Sequence, residues 1–230
     1  MLGAGAAMVT PVPRRVLGAV MAFGAGVLIS AVAFDLVEEA SETSAGGTGV
    51  TAGLLAGAIV FFLGDAVIDR MGGDHRKASD GAQADGSGLA IVLGAVLDGI
   101  PESMVLGLGL LRGDGISVAF IAAVFLSNLP EGLAASSGLL SSGWTRGRVL
   151  LLWAAVLLVS ALSALVGYVA FDGAAPGVIA FTLAFAGGAI ICMLADTMMP
   201  EAFAAEGRLV GLVTAAGFTL AYALHTVQAG

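Results

Sequence analysis

Two short stretches of this chain combine acids, oxygen-bearing polar side chains and a proline within apolar surroundings. They read LDGIPES at 97–103 and LSNLPEG at 126–132. If both are helical, residues three or four apart lie on one face, so each stretch places an acid beside a second oxygen-bearing side chain. Such oxygen ligands suit a divalent cation, and neither stretch contains His or Cys. The candidate ligands are Asp98, Glu102, Ser127, Asn128 and Glu131.

The prolines of both stretches strengthen this interpretation. Pro101 and Pro130 cannot donate to the carbonyls of Leu97 and Leu126, and a proline ring bends a helix at its own level. Irregular backbone at membrane depth is tolerated where it lines a cavity. Two proline-kinked helices that carry paired carboxylates therefore predict a hydrophilic cation site between them.

The composition places these stretches in a lipid bilayer. Apolar residues make up 58% of the 230 and charged residues only 11%, which is too little charge to cover a water-facing surface. An ionisable side chain inside a membrane helix costs about 2.5 kcal/mol or more, so it is a functional candidate by default. The net charge is −8, and no nucleic-acid partner is expected.

The apolar segments predict an all-α, polytopic helical bundle that forms one transmembrane domain over residues 1–230. A membrane helix needs about 20 mostly apolar residues. Seven segments meet that requirement, at 16–37, 50–69, 88–111, 116–140, 148–171, 177–200 and 208–228. No Lys or Arg lies in the interior of these spans.

The basic residues predict the orientation. Placing Arg14 and Arg15 in the cytoplasm puts all nine Lys and Arg residues on that side except Arg112, as the positive-inside rule expects. The C-terminus is then outside. The polar stretch at about 70–87, which contains His75, is predicted to be a flexible cytoplasmic loop. An outer connection after the first span would hold three glutamates, Glu38, Glu39 and Glu42.

At the two proline motifs the sequence resembles the ZIP (Zrt/Irt-like protein) family of divalent metal transporters. DGIPES at 98–103 is similar to the motif of that family's fourth helix, and SNLPEG at 127–132 to the motif of its fifth. The segment FAGGAIICMLADTMMPEA at 185–202 resembles its seventh helix. The family has eight helices, so the resemblance implies that the first is missing, or is reduced to residues 1–13.

The resemblance implies a metal site made by Asp98 and Glu102 on one helix and Ser127 and Glu131 on the next. Asp98 stands where the family usually has histidine, and Ser127 stands where it usually has histidine or glutamine. Both replacements remove nitrogen or amide ligands and shift the preference toward harder ions. Zinc is the favoured substrate, and iron(II), manganese and cadmium are alternatives. A second metal position is not expected, because Gly99 replaces one of its ligands.

Four further acids are candidates for a metal path through the bundle. Asp35 lies near the outer end of its span, where it would guide access, and ordinary interfacial solvation is the alternative. Asp65 lies near the inner end of its span, where it would line a release path, and ordinary solvation of a helix end is the alternative. Asp196 and Glu201 flank Pro200 in a third proline and glutamate arrangement. Cys192 and His225 are interpreted as packed residues rather than ligands.

The sequence thus favours a non-enzymatic metal carrier in the cell, or inner, membrane. A transport-inactive metal sensor or structural membrane protein is the main alternative. An intramembrane metalloenzyme is less favoured, because the chain lacks an HExxH pair. Glycine-rich faces at Gly18 to Gly26 and Gly53 to Gly57 suit either internal packing or a homodimer.

Overall fold

The computed structural model describes residues 1–9, 12–44, 47–73, 88–111 and 118–229. All regular secondary structure in those residues is helical, which confirms the predicted all-α class. The helices, in chain order, are α1 (Leu2–Val9), α2 (Arg14–Thr43), α3 (Gly47–Gly73), α4 (Gly88–Leu111), α5 (Val118–Ser141), α6 (Arg146–Val169), α7 (Pro176–Glu206) and α8 (Val210–Ala229).

Six of the described helices, α2, α3, α4, α6, α7 and α8, are long and apolar enough to cross a membrane. Their most apolar windows have mean hydropathies from 1.5 in α8 to 2.7 in α6. These helices identify a membrane protein. The helix α5 covers the predicted 116–140 span with 24 residues but is not among the six. The count of seven spans therefore stays a prediction.

Two helices run well beyond the predicted span ends. The helix α2 continues through Glu38, Glu39 and Glu42 to Thr43, so these glutamates belong to the helix and not to a connection after residue 37. The helix α7 likewise continues past residue 200 to Glu206. Glutamate and alanine, which dominate both extensions, are good helix formers and extend a helix without needing an apolar environment.

The predicted loop at about 70–87 begins later than the sequence indicates. The chain remains helical through Asp69 and Arg70 and ends its last turn with Gly72 at φ 88° and Gly73. Glycine adopts this left-handed conformation without steric cost, which explains why the helix stops there. The remainder of that loop, 74–87 with His75, lies outside the described residues, as does Arg112.

Four helix pairs carry most of the packing: α2 with α7, α3 with α7, α4 with α6, and α2 with α8. Each of the last three pairs brings two glycines against the partner's backbone, and a Cβ at any of them would overlap a carbonyl oxygen of the opposite helix. The glycines are Gly57 and Gly188, Gly107 and Gly167, and Gly26 and Gly217. Small residues allow such close approach between membrane helices. The two predicted glycine faces at 18–26 and 53–57 are accordingly used for packing inside the chain.

The short helix α1 joins α4, α5 and α6 in a smaller hydrophobic core of its own. Ala4, Ile91, Leu139 and Trp153 are buried together there. The buried indole of Trp153 donates to the hydroxyl of Ser136 at 2.8 Å, which links α6 to α5. By contrast, α4 and α5 make few direct backbone contacts with each other.

Candidate cation site

A hydrogen bond joins the two proline-containing helices at the predicted site. The side-chain amide Nδ2 of Asn128 on α5 donates to Oε2 of Glu102 on α4 at 2.6 Å, and also to the carbonyl of Val124 at 2.9 Å. A short bond to a charged acceptor is about twice as strong as a neutral one. The structure therefore brings one predicted ligand from each motif into direct contact.

The other predicted ligands lie one turn or less from this contact along the same two helices. Their exposed fractions are 3% for Asp98, 1% for Ser127 and 8% for Glu131, and that of Glu102 itself is 2%. The Ser127 hydroxyl donates to its own backbone at Val124, at 3.0 Å. Three carboxyl groups are thus buried within an apolar bundle, where a charge is costly without compensation.

Both helices continue through their prolines. Pro101 lies inside α4 and Pro130 inside α5. The Leu126 carbonyl, to which Pro130 cannot donate, faces α2, because a Cβ built on Gly24 would lie 2.7 Å from that oxygen. The freed carbonyl of α5 is therefore directed at a neighbouring helix backbone.

A cavity of about 390 Å³ reaches the Glu102–Asn128 contact. Residues from α1, α4, α5 and α6 line it, including the hydroxyl-bearing Ser103 and Ser160. The exposed Asn128 and the buried Glu102 both line this space. Small molecules or ions in the cavity would meet a carboxylate, an amide and two hydroxyls.

The described residues do not form a complete metal-binding site. Among them, no three His, Cys, Asp or Glu side chains are arranged so that they could hold one metal ion. The amide of Asn128 also presents its NH₂ group, and not its oxygen, to Glu102. A cation at Glu102 would require the amide to turn, since only Oδ1 can act as a ligand. The site as observed is a two-helix contact with further carboxylates nearby.

Two of the predicted path acids lie near each other where α3 packs on α7. The thiol of Cys192 donates to Oδ2 of Asp196 at 3.1 Å, and Asp65 on α3 is close enough to interact electrostatically with the same thiol. Asp65 is buried, with 6% exposed. Asp196 belongs to a widened π-helical turn, Leu194–Met198, a feature often found at functional sites. Glu201 lies farther along α7 and is half-buried.

The fourth path acid, Asp35, lies elsewhere, between α2 and α8. It belongs to another π-helical turn, Val32–Glu38, and its Oδ1 is 3.6 Å from Nδ1 of His225. The imidazole also packs against Phe34, with ring centroids 5.3 Å apart. The structure thus separates Asp35 from the Asp65 and Asp196 group.

Sequence reasoning missed several of these polar side chains. Cys192 was interpreted as a packed residue, although its spacing of four from Asp196 is a readable helical contact. Ser103 follows Glu102 directly, but no spacing in the sequence marks it as part of the site. Ser160 gives no signal in the sequence, because only the packing of α6 against α4 decides which face of α6 lines the cavity.

No protein-family model matches this chain, and no curated protein matches it.

Proposed function

We propose that this membrane protein is a ZIP-like carrier that moves divalent metal cations into the cytoplasm, with zinc as the favoured substrate. The observation that carries the proposal is the 2.6 Å contact between Glu102 and Asn128, which joins the two proline motifs beside a cavity. Burying a carboxylate such as that of Glu102 inside a membrane bundle costs free energy. A bound cation offsets that cost.

The buried carboxylates argue for a cation and against an anion or a neutral solute. Asp98 lies one helical turn from Glu102, and Glu131 lies one turn from Ser127 on the facing helix. Negative charge buried at this depth repels anions, whereas a divalent ion compensates two carboxylates at once. Oxygen-only ligands also accept iron(II), manganese and cadmium.

The proposed roles follow from these positions. Glu102 and Asn128 would bind the ion at the cavity, with Asp98, Ser127 and Glu131 completing its coordination after side-chain rearrangement. Asp65 and Asp196 would lead toward the cytoplasmic side, and Asp35 would act near the outer side. Movement would use rocking or gating of one helix group against another.

A transport-inactive metal sensor is the second candidate. Within the described residues, no three His, Cys, Asp or Glu side chains form one metal-binding group. This arrangement favours the sensor and is less suited to a carrier. A sensor would bind metal and change shape without flux. An intramembrane metalloenzyme would instead cleave a peptide or another substrate, and it has less support.

The deciding experiment is metal uptake into proteoliposomes that contain the purified full chain. Zinc, iron(II), manganese and cadmium are supplied outside, and accumulation is followed with a trapped fluorescent chelator. We expect uptake of at least one ion by the wild type, and loss of at least about 90% of that uptake in Glu102→Gln and Glu131→Gln, because each loses one buried charge.

The matched control is Asp172→Asn, the same acid-to-amide change at an exposed residue beyond the end of α6. It should transport like the wild type. Absence of flux for all four ions from a folded, inserted wild type would overturn the carrier proposal, and metal binding without flux would favour the sensor.

A further inference from the structure

The cavity beside Glu102 is larger than a metal ion requires. Its volume is about 390 Å³. A single water molecule accounts for roughly 30 Å³ of liquid, so a bare or partly hydrated ion leaves most of this space unfilled. Sites for small organic ligands, by contrast, typically measure roughly 300–1,000 Å³. The volume therefore lies within the range of sites that bind small organic ligands.

The cavity lining combines polar and apolar groups. Oxygen atoms come from Glu102, Asn128, Ser103 and Ser160, and Leu106 and Phe125 contribute apolar surface. The Ser160 hydroxyl lies 3.3 Å from the position of a Cβ on Gly99, so the missing side chain of that glycine leaves room for the hydroxyl beside α4. One carboxylate and two hydroxyls in the lining of one cavity are well suited to accept hydrogen bonds from a positively charged donor.

We propose that this cavity binds a small organic ammonium ion with an apolar body. Its N–H groups would donate to the Glu102 carboxylate and to the serine hydroxyls, and its apolar body would pack against Leu106 and Phe125. The carboxylate excludes organic anions by charge repulsion, and a neutral alcohol of the same shape would lack the charge-assisted bond. This inference does not rest on metal transport, although both ligands would share Glu102 and would compete there.

The test compares two probes of nearly equal shape, 2-phenylethylamine and 2-phenylethanol. Their binding to the purified full chain in nanodiscs is measured by isothermal titration calorimetry at neutral pH in metal-free buffer. We expect the amine, which is protonated at this pH, to bind about tenfold or more tightly than the alcohol. Glu102→Gln should reduce that ratio to about one, and Asp172→Asn should leave it unchanged.

A second variant tests the cavity without altering the carboxylate. Ser160→Leu fills the space from α6 and should abolish amine binding while Glu102 stays in place. Equal binding of the two probes, an amine preference that survives Glu102→Gln, or amine binding unaffected by Ser160→Leu would each overturn the inference. Metal uptake is measured separately on the same preparations, so failure of the carrier proposal would be recognised on its own.

Discussion

At the scale of single residues, the contact between Glu102 and Asn128 matters most because it joins the two proline motifs directly. A buried carboxylate needs either hydrogen-bond donors or a cation. In the observed state the Asn128 amide supplies a donor. After rotation, the same side chain could instead supply its oxygen to a cation bound at Glu102. Glu102 therefore has two alternative partners, the Asn128 amide and a cation.

Replacing this amide by a carboxylate should make the protein depend on metal. Asn128→Asp removes the donor and sets a second acid against Glu102, and two carboxylates at this distance cannot both ionise freely. With a chelator present, we expect the variant to be less stable than the wild type by about 1 to 3 kcal/mol. Manganese should then raise its thermal unfolding midpoint more than that of the wild type, because the ion compensates both charges.

The control for this prediction is Asn128→Leu, which removes the donor without adding a carboxylate. Its unfolding midpoint should fall in chelator and respond little to manganese. If Asn128→Asp and Asn128→Leu respond equally to the metal, then the added carboxylate does not face a cation site.

The sequence predicted which side chains are candidate ligands, and that remains a prediction; it did not predict how these side chains are arranged. Helical spacing places Glu102 one turn from Asp98, because both lie on α4 and need only local geometry. That Asn128, and not Ser127, reaches across to Glu102 depends on how α4 and α5 are rotated about their own axes. Packing against α1, α2 and α6 sets that rotation, and no local pattern encodes it.

At the scale of helices, glycine controls how closely the pairs approach. Gly57 on α3 faces the carbonyl oxygen of Phe185 on α7, and Gly188 on α7 faces that of Leu54 on α3. The reciprocal placement means that neither helix can move away without opening a gap along the other. The same pattern recurs between α4 and α6 and between α2 and α8.

A single methyl group at such a contact should be destabilising. Gly57→Ala would force its Cβ into the Phe185 carbonyl, and overpacking of this kind typically costs about 1 to 3 kcal/mol. The expected result is a lower temperature at which half of the detergent-solubilised protein survives size-exclusion chromatography after heating.

Gly49→Ala on the same helix is the matched control, because nothing lies within 4 Å of a Cβ at that position. It should be neutral, or stabilising by up to about 1 kcal/mol, since alanine favours a helix more than glycine does. Equal loss of stability in both variants would show that the effect comes from the helix itself and not from the α3–α7 contact.

The helices themselves were largely predictable, while their ends were not. Apolar length located the seven predicted spans within a few residues of observed helices at most boundaries, because hydropathy directly reports burial in lipid. The extensions of α2 to Thr43 and of α7 to Glu206 escaped this reasoning. A helix that leaves the bilayer keeps its backbone hydrogen bonds while its side chains become polar, so its end is not marked by hydropathy.

At the scale of the whole molecule, the number of crossings decides on which side each loop lies. The helix α5 holds most of the polar site residues and is not among the six apolar spans. If it crosses the membrane, the end of α2 and the end of α6 are separated by four crossings and lie on the same side. If it does not cross, three crossings separate them and they lie on opposite sides.

Cysteine labelling distinguishes these two topologies. Two separate variants are made in a Cys192→Ser background, so that each carries a single thiol. Ser41→Cys places it near the C-terminal end of α2, and Asp172→Cys places it just after α6, both at exposed positions. With seven crossings and an outer C-terminus, a membrane-impermeant maleimide added to intact cells should label both. Ser141→Cys at the end of α5 should be labelled only after permeabilisation. Labelling of only one of the first two positions would contradict seven crossings.

The glycine contacts also determine which helices can move relative to one another. Where a carbonyl oxygen meets a glycine, no rotatable side chain lies between the two backbones, so a displacement of one helix is transmitted directly to its partner. The three pairs with reciprocal glycines, α3–α7, α4–α6 and α2–α8, are stiff in this sense. The α4–α5 interface has few backbone contacts and is bridged instead by two long side chains, whose rotamers can absorb relative motion. Relative motion of α4 and α5 is therefore easiest at the contact between Glu102 and Asn128.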